Sequence, residues 1–228
     1  MRFLYSLILC FSSLQLLVGQ DVNNKIIADQ YFIQAEYTKA LELYTKEFKK
    51  SKTNFEVYSR ILECYIILED LSTADKHIKK FYKNSNDKLF NIDHGYILLL
   101  NNKNKLSEKF FNSVIEMLTA NDIEIRRIAK RFKFFDQSLW AIKTYTKGNK
   151  ILDNKLQFID QLRDLYLLTK NIPAYIDASL SILNSFPEER SIIENGFQLN
   201  LSESELNILN KKIITYLQKE PGNTRIGD

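Results

Sequence analysis

A small side chain returns in this chain at a nearly constant interval. Ala40 is followed by Ala74, 34 residues later; Ala141 comes 67 residues after that, and Ala174 a further 33. Each alanine brings neighbours at fixed offsets. Tyr31 and Tyr44 flank Ala40 nine before and four after, and the same offsets give Tyr65 and Ile78 around Ala74, Phe132 and Tyr145 around Ala141, and Leu165 and Ala178 around Ala174. The double interval holds a weaker copy, with Ser107 or Glu108 in the alanine slot and Gly95 ahead of it. A sixth copy is announced by Gly196, ahead of Ile208, and Pro187 and Pro221 also stand 34 apart. Such a period marks an array of like units, each too small to bury its apolar face without a neighbour.

Composition favours helices for these units. Six glycines and three prolines in 228 residues are too few for the many tight reversals of a β-sandwich or a nucleotide-binding α/β domain. Thirty-two basic residues stand against 28 acidic ones, a net charge of +4, too even to imply polyanion binding by the whole chain. No nucleic-acid partner is therefore expected.

The residues that recur resemble those of the tetratricopeptide repeat, a helix–turn–helix unit of 34 residues. Its pattern of apolar, small and aromatic positions is met by Ile27, Ala28, Tyr31, Ala40 and Tyr44 in the first unit. Tyr58, Ile61, Leu62, Tyr65 and Ala74 meet it in the second, and Ile125, Ile128, Ala129, Phe132, Ala141 and Tyr145 in the fourth. The resemblance covers about residues 21–221 and implies an all-α, right-handed α-solenoid of about six repeats. Units are expected near 21–54, 55–87, 88–121, 122–154, 155–188 and 189–221, with 222–228 a tail or the start of a further repeat. The small residue lets two antiparallel helices cross closely while a neighbouring ring fills the gap. Ser202 to Glu205 reads as a capping box opening the last helix, whose Leu206, Leu209, Ile213, Ile214 and Leu217 call for a neighbour: a longer chain or a partner.

The first nineteen residues, MRFLYSLILCFSSLQLLVG, carry one arginine, an apolar stretch and no acid, and read as a signal peptide cleaved after Gly19. An exported protein is expected, in the periplasm first, with secretion or membrane tethering as alternatives. After cleavage Cys64 is the sole thiol, so packing alone would hold the fold.

Little in the chain suggests catalysis. His77 and His94 have no second histidine or cysteine at metal-ligand spacing, there is no glycine-rich phosphate loop, and the carboxylates are scattered. Neither a metal, a cofactor nor an enzymatic role is expected; Cys64 reads as a small core residue and Trp140 as core. The polar cluster with most information is RRIAKRFKFF at 126–135, where Arg126 and Lys130, and Arg127 and Arg131, form two basic rows on one helix. It reads first as a solvated face. In the family that the chain resembles, the first helices of the units line a concave groove for partner peptides. Carried over, that groove presents Lys25 and Asp29, then Ser59 and Glu63, then Arg126, Lys130 and Lys133, then Arg163 and Tyr166. A non-enzymatic scaffold holding an acidic peptide or protein there is the leading expectation. A structural arm of a larger envelope protein or complex, and anionic lipid or polysaccharide binding by the 126–135 patch, are the alternatives.

Overall fold

A computed structural model describes residues 24–219. The leader at 1–19, Pro221 and the tail at 222–228 lie outside the described residues. Twelve α-helices run through those described: α1 (Asn24–Ile33), α2 (Tyr37–Lys50), α3 (Phe55–Ile67), α4 (Leu71–Phe81), α5 (Leu89–Leu100), α6 (Asn104–Glu116), α7 (Asp122–Phe134), α8 (Ser138–Ile151), α9 (Ile159–Leu168), α10 (Ile172–Ser185), α11 (Arg190–Asn200) and α12 (Glu203–Lys219). Consecutive helices pair into six hairpins, and a single 3₁₀ turn, Pro187–Glu189, lies between α10 and α11. The chain divides into two compact units, residues 1–90 and 91–228.

Five of the six hairpin turns are closed in one way. Ala35, Glu69, Asn102, Asp136 and Lys170 all adopt the left-handed conformation, with φ between 56° and 59°. In each turn the next amide reaches back five residues: Glu36 donates to the Tyr31 carbonyl, Asp70 to Tyr65, Lys103 to Leu98, Gln137 to Phe132 and Asn171 to Tyr166, at 2.8–2.9 Å. This is the Schellman closure of a helix C-terminus, made here without glycine. Asn54, Asp70, Asn121 and Asn171 then cap the following helices by accepting a backbone N–H with their side chains.

These bonds fix the register. Counting nine residues on from each accepting carbonyl gives Ala40, Ala74, Ser107, Ala141 and Tyr175. The first four are fully buried, so Ser107 fills the weak slot, while Glu108 is exposed. In the fifth hairpin the structure corrects the alanine ladder by one residue. Ala174 is only partly buried, its N–H capped by Asn171, and Tyr175 occupies the crossing. Room for that ring comes from the next hairpin: a Cβ on Gly196 would sit 3.1 Å from the Tyr175 hydroxyl. Gly196 thus serves a large side chain opposite it and does not mark a repeat position paired with Ile208.

The capping box at Ser202 forms in part, with the Ser202 N–H donating to Glu205 at 2.8 Å. Along α12, Leu209 is buried and Leu206 and Ile213 pack inward, leaving Ile214 as the exposed member of the apolar set.

Gly95 is the tightest point among the described residues. A Cβ there would lie 2.6 Å from Cε1 of Phe111, a fully packed ring held edge-on by Phe132 and Trp140 at 5.2 and 5.3 Å. Gly95→Ala is expected to cost about 1–3 kcal/mol by overpacking, read from urea unfolding.

Candidate functional site

The residues nominated for a groove are not equivalent in the structure. In the first unit, Lys25 and Asp29 on α1 are tied into a chain of polar contacts. Lys25 bridges Asp29 and Glu56 at 2.9 Å each, and the Tyr44 hydroxyl donates to Asp29 at 2.5 Å. Burial works against the Asp29 carboxylate, but the Tyr44 and Lys25 hydrogen bonds outweigh it and hold its pKa below the usual value. The Glu56 and Asp29 contacts raise that of Lys25. Glu63 pairs with Arg60 at 2.9 Å, and Ser59 is buried. Charges on this face are therefore largely satisfied by one another.

In the second unit, α7 carries Arg126, Lys130 and Lys133. Lys130 and Lys133 are exposed and form no ion pair among the described residues. Arg126 is half-buried over the Phe158 ring, 4.9 Å from its centroid, and donates to the Gln157 carbonyl at 3.4 Å. On α9 the register correction moves the equivalent positions: Asp160 and Asp164 match Arg126 and Lys130. Arg163 stands one residue away from them, leaning on both aspartates at 3.6 and 3.4 Å. Tyr166 supplies a turn-closing carbonyl and packs on the core of the fifth and sixth hairpins. The basic stretch of α7 is thus followed by acidic equivalents on α9.

Arg131 departs from the solvated-face expectation. It is 4% exposed and grips Asp93, itself 0% exposed, through two parallel bonds: Nε to Oδ1 at 2.5 Å and Nη2 to Oδ2 at 2.9 Å. The rings of Phe134 and Phe135 lie 4.6 and 4.8 Å from the guanidinium carbon. The pair joins the first helices of the third and fourth hairpins. A signal was present in the sequence, since Asp93 is the one acid in LFNIDHGYILLL, an otherwise apolar helix. A lone carboxylate there needs a buried cation.

A second pattern was also missed. The last residue of α1, α3, α5, α7 and α9 is in every case a large apolar side chain left exposed: Ile33, Ile67, Leu100, Phe134 and Leu168, at steps of 33–34. Leu199, next to last in α11, continues the series. Ile33, Leu168 and Leu199 are 83, 66 and 84% exposed. Single exposed apolar residues are ordinary on any surface, whereas one at the same helix end in every hairpin is a built feature. Reading apolar residues just ahead of each turn, instead of only those around the alanines, would have shown it.

The reactive side chains are held in unreactive forms. Cys64 is buried among Ala28, Ala40, Tyr44, Val57 and Ile61, and burial pushes its thiol up to about 12. Burial takes His77 down to about 4, so it is neutral near pH 7, with Nε2 3.3 Å from the Tyr58 carbonyl. Among the described residues no cluster of three or more His, Cys, Asp or Glu is placed to hold a metal, and no helix is long and apolar enough to cross a membrane.

No family model matches the chain. Among curated proteins it is similar to the Detocs histidine-protein kinase DtcA of Enterobacter cloacae (strain JD6301), 26% identical over 234 residues. That match takes in 89% of this chain and 20% of the kinase, so the chain spans about a fifth of that relative's length. Similar solved structures include PilW, a type IV pilus biogenesis factor (11% identity, TM-score 0.40, 92% of this chain and 98% of that one). YrrB, a TPR protein with an unusual peptide-binding site, is another (11%, 0.35, 78% and 92%), as is MamA from Desulfovibrio magneticus RS-1 (15%, 0.37, 76% and 98%). The chain's own hairpins, with a common turn closure at steps of 33–34 and a small residue buried at four of the first five crossings, give it a repeat architecture of tetratricopeptide type.

Proposed function

We propose that this chain is a non-enzymatic scaffold that binds a protein or peptide through the exposed ends of its first helices. The observation that carries the reading is the apolar series Ile33, Ile67, Leu100, Phe134, Leu168 and Leu199. Exposed apolar side chains at one register gain free energy when a partner covers them, and selection for solubility alone would remove them. The exposed Lys130 and Lys133 beside Phe134 suit a partner with acidic flanks. Residues 1–19 supply the export signal of this reading, with the periplasm as its location and cell fractionation as its check.

The test is capture from an envelope extract with the chain as bait, beside the variant Ile33→Asp/Leu168→Asp/Leu199→Asp. These sites are open, so the melting temperature is expected to hold while the captured partner is lost. Capture of the same partner by both baits overturns the reading. Lys130→Glu/Lys133→Glu is expected to weaken capture and flatten its salt dependence.

The similarity to a histidine kinase favours a second reading, in which the repeats are the partner-binding segment of a longer protein whose activity lies elsewhere in it. A complete reading frame encoding a catalytic domain beside the repeats supports this; one holding only repeats removes it.

A further inference from the structure

The second helices carry a feature that the reading above does not use. Between α2 and α4, above α3, lies a cleft of about 260 Å³ whose floor is Phe48, Ile61 and Tyr65 with the edge of His77. Lys49, Lys52, Lys76 and Lys80 ring it, all exposed. Neighbouring lysines are neutralised along their own helices, Lys46 by Glu42, Lys50 by Glu47 and Lys79 by Asp75. The four around the cleft form no salt bridge among the described residues. The acid that senses one of them, Asp70 near Lys76, is engaged in capping α4.

The same arrangement returns in the second unit. A more open cleft of about 580 Å³ lies between α6 and α8, over Ile115, Ile142 and Ile151, edged by Lys143, Lys147 and Lys150. The two clefts agree in register. Lys76 and Lys80 stand two and six residues after Ala74, as Lys143 and Lys147 do after Ala141. Phe48 and Ile115 each stand eight after the small residue of the preceding second helix. Helix α8, SLWAIKTYTKGNKI, contains no acid to neutralise its lysines. Lysines at i and i+4 form a row one turn apart.

We propose that these clefts take an acidic peptide segment, with one apolar side chain seated on the floor and carboxylates on either side of it meeting the lysines. The smaller cleft is below the roughly 300–1,000 Å³ of small-molecule pockets, which suits an anchor side chain better than a whole ligand. The unpaired cations are the complement of flanking acids. This rests on the protein-binding reading but uses a separate surface, so the two fail separately.

The probe is a fluorescein-labelled peptide Asp-Glu-Phe-Glu-Asp, followed by fluorescence anisotropy. Binding is expected to weaken about tenfold when glycine replaces the phenylalanine. A similar loss is expected with Lys76→Glu/Lys80→Glu, and binding is abolished when Lys143→Glu/Lys147→Glu is added. It should fall steeply between about 50 and about 300 mM salt, and the Ile33→Asp/Leu168→Asp/Leu199→Asp variant should bind the peptide as wild type does. Should the glutamate variants unfold, Lys76→Gln/Lys80→Gln serves in their place. Equal affinity for the glycine peptide, indifference to the Lys76 and Lys80 substitutions, or no binding by the wild type each overturns the proposal. So does displacement of the peptide by inorganic phosphate at low millimolar concentration, which would make the clefts simple anion sites. Binding to phosphatidylserine vesicles that is lost on substituting Lys76 and Lys80, with no peptide binding, would make this a membrane-facing surface and overturn it as well.

Discussion

Arg131→Ala is expected to lower the unfolding free energy by about 3–5 kcal/mol, because it leaves the Asp93 carboxylate buried without a cation. Asp93 is fully enclosed, so it can recover neither hydration nor a replacement partner without opening the contact between α5 and α7. Asp93→Ala should cost a similar amount by stranding the guanidinium. Asp93→Leu combined with Arg131→Met removes both charges and is expected to fall well short of the sum of the single losses, the signature of direct coupling. Urea unfolding of the four proteins measures the cycle. A loss below about 1 kcal/mol in Arg131→Ala would mean that the pair is not held as described. Replacing a buried ion pair by apolar side chains is often neutral, so stability alone does not account for this one. Its value is specificity of docking: a bidentate grip fits one registration of the fourth hairpin on the third, where apolar surfaces tolerate several.

Acid is expected to weaken the first unit through His77. Its imidazole is neutral in the fold, with a pKa near 4 against 6.5 for an open histidine. The unfolded chain therefore takes up a proton between these values and the folded chain does not, so stability falls as pH drops from 6.5 to 4. The full difference amounts to about 3 kcal/mol and is present above pH 6.5. Below 4 both states carry the proton and this contribution stops changing. Asp29 acts in a lower window: its depressed pKa gives stability that is present above the unfolded value of 3.8 and lost as pH falls through the folded one. The two are thus separable. His77→Phe keeps a ring beside Phe48, Tyr58 and Tyr65 and is expected to flatten the profile between pH 6.5 and 4. An unchanged slope in that variant would show that another group titrates there.

The repeat was legible because its physics is local. A small residue at a helix crossing excludes most alternatives, so Ala40, Ala74 and Ala141 announced the period directly. It failed at the fifth hairpin because room at a crossing can come from either side: Tyr175 takes the slot and Gly196, on another helix, yields the space. Ala174 then offered a false match one residue away, and it carried Arg163 and Tyr166 with it. Arg131 was misplaced for a different reason. Its spacing from Arg127 suits a solvated row, and only the buried position of Asp93, 38 residues earlier, distinguishes the two. Pairing across that separation is a property of how hairpins stack, which periodicity along one helix does not contain.

The glycine-free turns bear on how an array like this changes length over generations. Their closure is made by main-chain atoms around residues as unlike as Ala35, Glu69 and Lys170, so any two of them are interchangeable as splice points. Excising 137–170 would join Asp136 to Asn171 and restore an intact closure, with Asp93 and Arg131 both retained. Excising 103–136 would splice equally well, yet strand Asp93. Duplication and loss of units in this lineage should therefore spare the third and fourth as an inseparable couple.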